Sequence, residues 1–248
     1  DVIPLTLQFV CIKAIPAALR THDVLWGPLA DVKTADVTVK ARLLPLENET
    51  SLTVSTTPLP LAHGLVRSLP EAFWLSSDAA LSAAMPWAQL VGAPAAKLPA
   101  GDADALRRDA TARIQKALDT IEGQLGWNGL SAWPWGSPSL MATTWALDFV
   151  LTLRENGRDV RPELVRRLAD AISNALDGLT PDTLGQARTA AWALAQLTRE
   201  GTLEAERIEA LRNRMDAREL DWRNDPAALY IAYAYRLMRL TDEADELQ

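Results

Sequence analysis

Two stretches of this chain repeat one pattern. Trp145-Ala146-Leu147 runs on to Arg154-Glu155-Asn156-Gly157, and Trp192-Ala193-Leu194 runs on to Arg199-Glu200-Gly201. The terminal glycines lie 44 residues apart, each stretch is followed by a shorter one rich in Leu and Arg, and Ala232-Tyr233-Ala234-Tyr235-Arg236-Leu237 begins a third copy. A period of about 40 residues with two helices per unit restricts the fold to stacked helical hairpins. A lone hairpin cannot bury its own apolar face, so each unit needs its neighbour. Such an array is an open solenoid or a closed ring. The small residues at 190, 191, 193, 195, 227, 228, 232 and 234, all alanine, allow close helix approach and suit a tightly wound ring.

The individual helices follow from apolar spacing. Leu106, Ala110, Ile114, Ala117, Leu118, Ile121 and Leu125 lie three or four apart and mark a helix over 102–125. A second spans 139–156 and stops at Gly157, which tolerates the left-handed cap conformation. Pro162 opens a third, with Leu164, Leu168, Ile172 and Leu176 on one stripe before Gly178. Thr180-Pro181 opens a fourth ending at Gly201, and helices over 203–216 and 226–240 complete the series. Before residue 60 the period is two instead: Leu5/Leu7/Phe9, Val37/Val39 and Leu52/Val54 alternate as half-buried strands do, with Pro28, Pro45, Asn48 and Pro58 between them. Roughly four short strands in about 60 residues make part of a β domain. The expected organisation is a β segment over 1–60 followed by an α domain over 61–248.

Composition narrows the partners. A formal net charge of -7 argues against nucleic acid and anionic membrane. Arg107, Arg108, Arg166, Arg167, Arg212 and Arg214 are scattered along helices and read as solvated faces. The single cysteine, Cys11, permits no intrachain disulfide. No apolar run reaches the roughly 18 residues of a membrane span, and the first residues, Asp1-Val2-Ile3-Pro4, resemble neither a secretion signal nor a natural start. The chain reads as a piece of something longer.

Catalytic signatures are sparse. His22 and His63 are the only histidines and lie far from any ligand cluster, so no metal site or bound cofactor is expected. Gly-rich phosphate loops and a GxSxG elbow are missing. His63 beside Gly64 reads as a cap or surface residue, and Trp74-Leu75-Ser76-Ser77-Asp78-Ala79 offers no usable nucleophile. The densest unusual segment is Gly126–Gly136, which carries Trp127, Trp133 and Trp135. These indoles either line a contact surface for sugar or peptide or plug the open end of a helix ring, the reading favoured here because large aromatics fill such holes well. A sugar-processing toroid would also need two flanking carboxylates, for which Asp148 is the first candidate and Asp221 a distant second.

The order of features resembles bacterial alpha-2-macroglobulin-like proteins, where a β domain gives way to the thioester domain. The residues that carry it are Leu52-Thr53-Val54-Ser55, Leu69-Pro70, Ser82-Ala83-Ala84-Met85-Pro86, Gly129–Pro134, Thr143–Leu151 and Asn156–Val160. The resemblance implies a mainly α fold: an α/α toroid of helical hairpins preceded by a short segment of a split CUB-like β domain. It implies a periplasmic protease-restraining role, with proteases or envelope proteins as partners and membrane attachment only through an anchor outside this chain, to the inner membrane. In that family a cysteine and a glutamine form an internal thioester. Aligned back from Pro86, the cysteine position falls on Ser76, the glutamate on Asp78 and the glutamine on Ala79. Neither half of the bond is available, and Phe73, Trp74 and Leu75 are expected to fill the space that once shielded it. The resulting expectation is a protein-binding, non-enzymatic domain that acts without covalent capture. The alternatives are a carbohydrate-active toroid using the Trp127–Trp135 loop, or a helical scaffold.

Overall fold

The computed structural model describes residues 2–11, 21–28, 48–54, 76–91 and 103–247. The chain divides into two units, Asp1–Glu71 and Ala72–Gln248. In the first, β1 (Val2–Cys11) is the central strand of a three-stranded antiparallel sheet, flanked by β2 (Thr21–Pro28) and β3 (Asn48–Val54). Leu5 pairs with Leu25 on one side and Val54 on the other. β1 and β3 fall where period-two alternation placed strands. β2 was not anticipated, because Thr21-His22-Asp23-Val24-Leu25-Trp26 groups its polar and apolar residues in blocks and gives no alternation to read. The strand expected over 36–40, the boundary expected at residue 60, His63 and Phe73–Leu75 lie outside the described residues.

The second unit is helical. α1 (Ser77–Val91) is followed by α2 (Ala103–Gln124), a two-residue hairpin of β4 (Leu125–Gly126) and β5 (Gly129–Leu130), then α3 (Leu140–Glu155) and α4 (Pro162–Asp177). α5 (Leu184–Glu200), α6 (Ala205–Ala217), a 3-10 turn at Trp222–Asn224, α7 (Pro226–Leu237) and α8 (Thr241–Asp245) complete it. The boundaries have local causes. Ser139 caps α3 by accepting the Ala142 N–H at 3.3 Å, and Asp225 caps α7 by accepting the Ala227 N–H at 2.9 Å. α5 begins three residues after the expected Thr180-Pro181. Thr183 and Gln186 form a reciprocal capping box there, and that pairing outweighs the proline signal. Gly201 ends α5 with φ 119, a conformation that a Cβ would strain.

The hairpins stack in chain order. α1 packs on α3, α3 on α5 and α5 on α7, while α4 and α6 lie against their own hairpin partners. The α5–α7 seam is made largely of alanine: Ala187, Ala190, Ala191 and Ala195 meet Ala227, Ala228, Ile231, Ala232 and Ala234 in one buried cluster with Trp222, Ile208 and Met215. Small side chains let the backbones approach closely, so dispersion contacts replace bulk burial at this seam. The mainly α fold expected from the repeat is what the structure shows. Ala232 is almost fully buried in that seam. Ala232→Leu is expected to destabilise the unit by about 2 kcal/mol through overpacking, read as a lowered urea midpoint, whereas a neutral result would mean that the seam has slack.

Candidate functional site

Ser76 sits at the N-cap of α1. Its Oγ accepts the Ala79 N–H at 3.2 Å and its carbonyl accepts the Ala80 N–H at 3.2 Å. Ser76 and Ser77 are buried, and Asp78 and Ala79 are half-buried. The N-cap and the third helical residue are the two positions whose side chains fold toward each other across a helix start, as in a capping box. Positions 76 and 79 therefore form a proximal pair by backbone geometry alone. Asp78 Oδ1 is buried and has no hydrogen-bond partner.

This helix start is fastened to the tryptophan loop. Ser77 Oγ donates to Ser131 O at 2.9 Å, and Ser77 N–H donates to Ala132 O at 3.0 Å. Two segments 54 residues apart that sequence reading singled out separately are thus one structure. The loop itself is well braced. Thr143 Oγ1 donates to Ser139 O at 2.8 Å and accepts the Leu130 N–H at 2.9 Å. Gly129 at φ 119 lies so close to that hydroxyl that a Cβ would fall 2.7 Å from it. Across Trp133–Gly136, the Gly136 N–H donates to Trp133 O at 2.9 Å and Ser131 Oγ donates to Gly136 O at 2.8 Å.

The tryptophans do not plug anything. Trp127, Trp133 and Trp135 are 88%, 55% and 99% exposed. The hairpin at 126–129 and the turn at 133–136 hold Trp127 and Trp135 at their tips, so the plug expectation gives way to an outward-facing loop. Trp135 also has φ 65, a left-handed conformation that costs a non-glycine residue about 1–2 kcal/mol. It follows Pro134 in a turn whose third position favours glycine. Trp135→Gly is expected to raise stability by about 1 kcal/mol, seen as a higher melting temperature. An unchanged or lower value would show that the indole contributes to the fold.

Asp148 is not free to act on a ligand. Arg199 Nη1 donates to Asp148 Oδ1 at 2.6 Å and to Gln196 Oε1 at 3.1 Å, Nη2 donates to Glu155 Oε2 at 2.5 Å and to Thr152 Oγ1 at 3.1 Å, and Nε donates to Glu155 Oε1 at 2.7 Å. Glu200 receives Arg154 at 2.7 Å. The Arg-Glu dipeptides that end α3 and α5 thus exchange partners, each arginine binding the other helix's glutamate. Burial pushes the Asp148 carboxyl above the ordinary range despite Arg199, whereas the Arg199 hydrogen bond holds Glu155 below it. Asp221 accepts from Asn224 Nδ2 at 2.8 Å. Both carboxylates nearest the sugar-processing reading are structural, which removes its acid–base pair. Arginines read as solvated are tethers as well: Arg167 donates to Leu125 O at 2.9 Å, Arg212 donates to the Tyr235 hydroxyl at 3.0 Å, and Arg214 pairs with Asp182 at 3.0 Å.

Removing Arg199 leaves Asp148 buried without its cation. Arg199→Met is expected to cost about 3 kcal/mol near neutral pH. The Glu155 contribution in the parent protein is present above the unfolded carboxylate pKa and is lost as pH falls through its depressed folded value. In the variant both carboxylates are uncompensated, and protonation relieves them. The stability gap should therefore narrow on acidification. A gap that widens toward acid in paired denaturation curves would contradict this assignment.

No family model matches the chain. It is 25% identical over 197 residues, 79% of its length, to an alpha-2-macroglobulin homolog of Yersinia pestis, of which it spans about a tenth. Salmonella alpha-2-macroglobulin reacted with methylamine superposes with a TM-score of 0.61 at 14% identity, covering 98% of this chain and 20% of that one. Escherichia coli alpha-2-macroglobulin activated by porcine elastase superposes at 0.55 and 12% identity, covering 100% of this chain and 28% of that one. The chain is alpha-2-macroglobulin-like. The structural matches establish the shared fold, and the alpha-2-macroglobulin-like architecture places the Ser76–Ala79 helix start and the tryptophan loop side by side. No helix among the described residues is long and apolar enough to cross a membrane, and no group of three or more His, Cys, Asp or Glu among them could hold a metal ion.

Proposed function

We propose that this chain is a protein-binding part of an alpha-2-macroglobulin-like protein of the periplasm, a restrainer of proteases that works without a covalent bond and without catalysis of its own. The observation that carries the reading is the geometry at α1. Residues 76 and 79 stand at the N-cap and third helical position, where a cysteine thiol and a glutamine side chain could meet. Here Ser76 Oγ accepts the Ala79 N–H at 3.2 Å, and Ala79 has no acyl group to be attacked. The arrangement keeps the proximity and lacks both bonding atoms, with Asp78 between them.

The helical stacking supports an α/α toroid, with α1, α3, α5 and α7 as successive inner helices. Support for proteases as partners comes from the elastase-activated relative. The residue pattern at 76–79 distinguishes this chain's mode from a methylamine-sensitive bond such as the one the Salmonella title describes.

The test has two arms. Methylamine treatment followed by intact-mass measurement should leave the chain's mass unchanged, and an adduct mapped to 76–79 would overturn the non-covalent reading. Porcine elastase with its active site blocked should co-migrate with the chain on a native gel and separate from it in hot detergent. No co-migration would remove the protease-binding half, and a detergent-stable conjugate would remove the non-covalent half.

A further inference from the structure

The tryptophan loop carries costs that nothing within the chain offsets. Trp135 occupies a left-handed conformation at a turn position suited to glycine, yet its side chain is 99% exposed. Trp127 is 88% exposed at the tip of the neighbouring hairpin. The loop is nevertheless held rigidly, by Ser77 on one side and by Thr143 and Ser139 on the other. Rigid aromatic side chains presented on a braced loop lose little freedom on association, which is the property of a preorganised contact surface.

Charge and area indicate the partner. Between Glu122 and Asp148 the sequence contains no Asp, Glu, Lys, Arg or His, although the chain as a whole carries a formal charge of -7. Two copies of an acidic protein repel each other over most of their surfaces, and this uncharged stretch is where they meet without facing like charges. The same patch must fit itself in a two-fold contact, and indoles satisfy this because aromatic rings pack against one another edge-to-face or offset. At the ~150–250 Å² that an aromatic side chain can bury, the exposed portions of Trp127, Trp133 and Trp135 sum to somewhat less than the ~800 Å² per partner of a standard interface. Met141, half exposed on the adjoining first turn of α3, extends the patch. An area of this size suits a weak, reversible dimer.

We infer that the Trp127–Trp135 loop is a self-association surface through which two copies of this chain pair about a two-fold axis. Sedimentation equilibrium over a concentration series tests it. The expected result is a monomer–dimer equilibrium with a dissociation constant on the order of 10–100 μM, barely weakened by salt because no charge pairs form it. Trp127→Ala and Trp135→Ala should each weaken it roughly tenfold, and the pair should abolish it. Trp135→Gly, chosen to relieve backbone strain, should give a folded and monomeric protein, which separates loss of contact from loss of fold. A second exposed apolar stripe, Leu229, Tyr233 and Leu237 on α7, supplies the counter-test. A dimer that survives the loop substitutions but dissolves in Leu229→Ser would overturn the proposal, as would a chain that stays monomeric at millimolar concentration.

Discussion

The crossed exchange between Arg154–Glu200 and Arg199–Glu155 fixes how the first two repeats register, and the rest of the helical unit is laid down from that register. The seams between inner helices use small residues, which slide easily because they offer few knobs and holes. A guanidinium that is nearly buried and bound to Asp148, Glu155, Gln196 and Thr152 at once cannot slide. It specifies one alignment of α3 against α5, as a partly buried polar network does when every member is satisfied. Arg188 with Asp225 repeats the device between α5 and α7, bonding at 2.9 and 2.5 Å while Asp225 also caps α7. Arg207 repeats it between the outer helices, reaching Ser173 at 2.9 Å and Asp177 at 2.5 Å. Apolar packing supplies the cohesion of the stack, and arginines supply its register.

That division of labour explains why the candidate site is so well ordered. With α3 fixed against α5, its first turn is fixed too, and Thr143 on that turn braces Leu130 in the hairpin. Leu130 O in turn accepts the Ser139 N–H at 2.9 Å. The carbonyls of Ser131 and Ala132 are then presented to Ser77 at the start of α1. A chain of hydrogen bonds thus runs from the inner helices through the tryptophan loop to the Ser76–Ala79 turn. Asn156 adds a second tie, its side-chain amide donating to Ala88 O at 2.8 Å, so α1 is held near both ends by the α3 hairpin.

Much of this architecture was legible from spacing. The repeat at Trp145 and Trp192, the glycine stops at Gly157 and Gly201, and Pro162 and Pro226 at helix starts are local signals that survive folding unchanged. What stayed hidden was whatever depends on partners distant in sequence. Asp148 looked like a stray acid because its cation lies 51 residues away on another helix, although the repeated Arg-Glu dipeptide at the two helix ends was a visible sign of the exchange. The tryptophans were misassigned for a related reason. Aromatic density announces that a loop matters but not which way it faces, and facing was decided by Gly129, Thr143 and the Pro134 turn. β2 was missed because its apolar residues are adjacent instead of alternating.

On the proposed reading, the residues at 76–79 also have a stability logic. Serine is among the strongest N-cap residues, an acidic side chain in the first turn complements the positive end of the helix, and alanine has the highest helix propensity. Ser76, Asp78 and Ala79 are therefore the residues a helix start would hold if nothing but folding acted on it. A reactive pair at the same two positions would give up the Ser76 hydroxyl cap, which is worth about 1 kcal/mol, and would have to be kept from water. Once covalent chemistry is gone, that penalty goes with it, and the helix start can anchor the tryptophan loop instead. The strain then sits in the loop, at Trp135, where an exposed indole in a left-handed turn has no structural justification within the chain. The segment optimised for folding and the segment that departs from it are joined by two hydrogen bonds from one serine, and it is the second that marks where contact with another molecule is made.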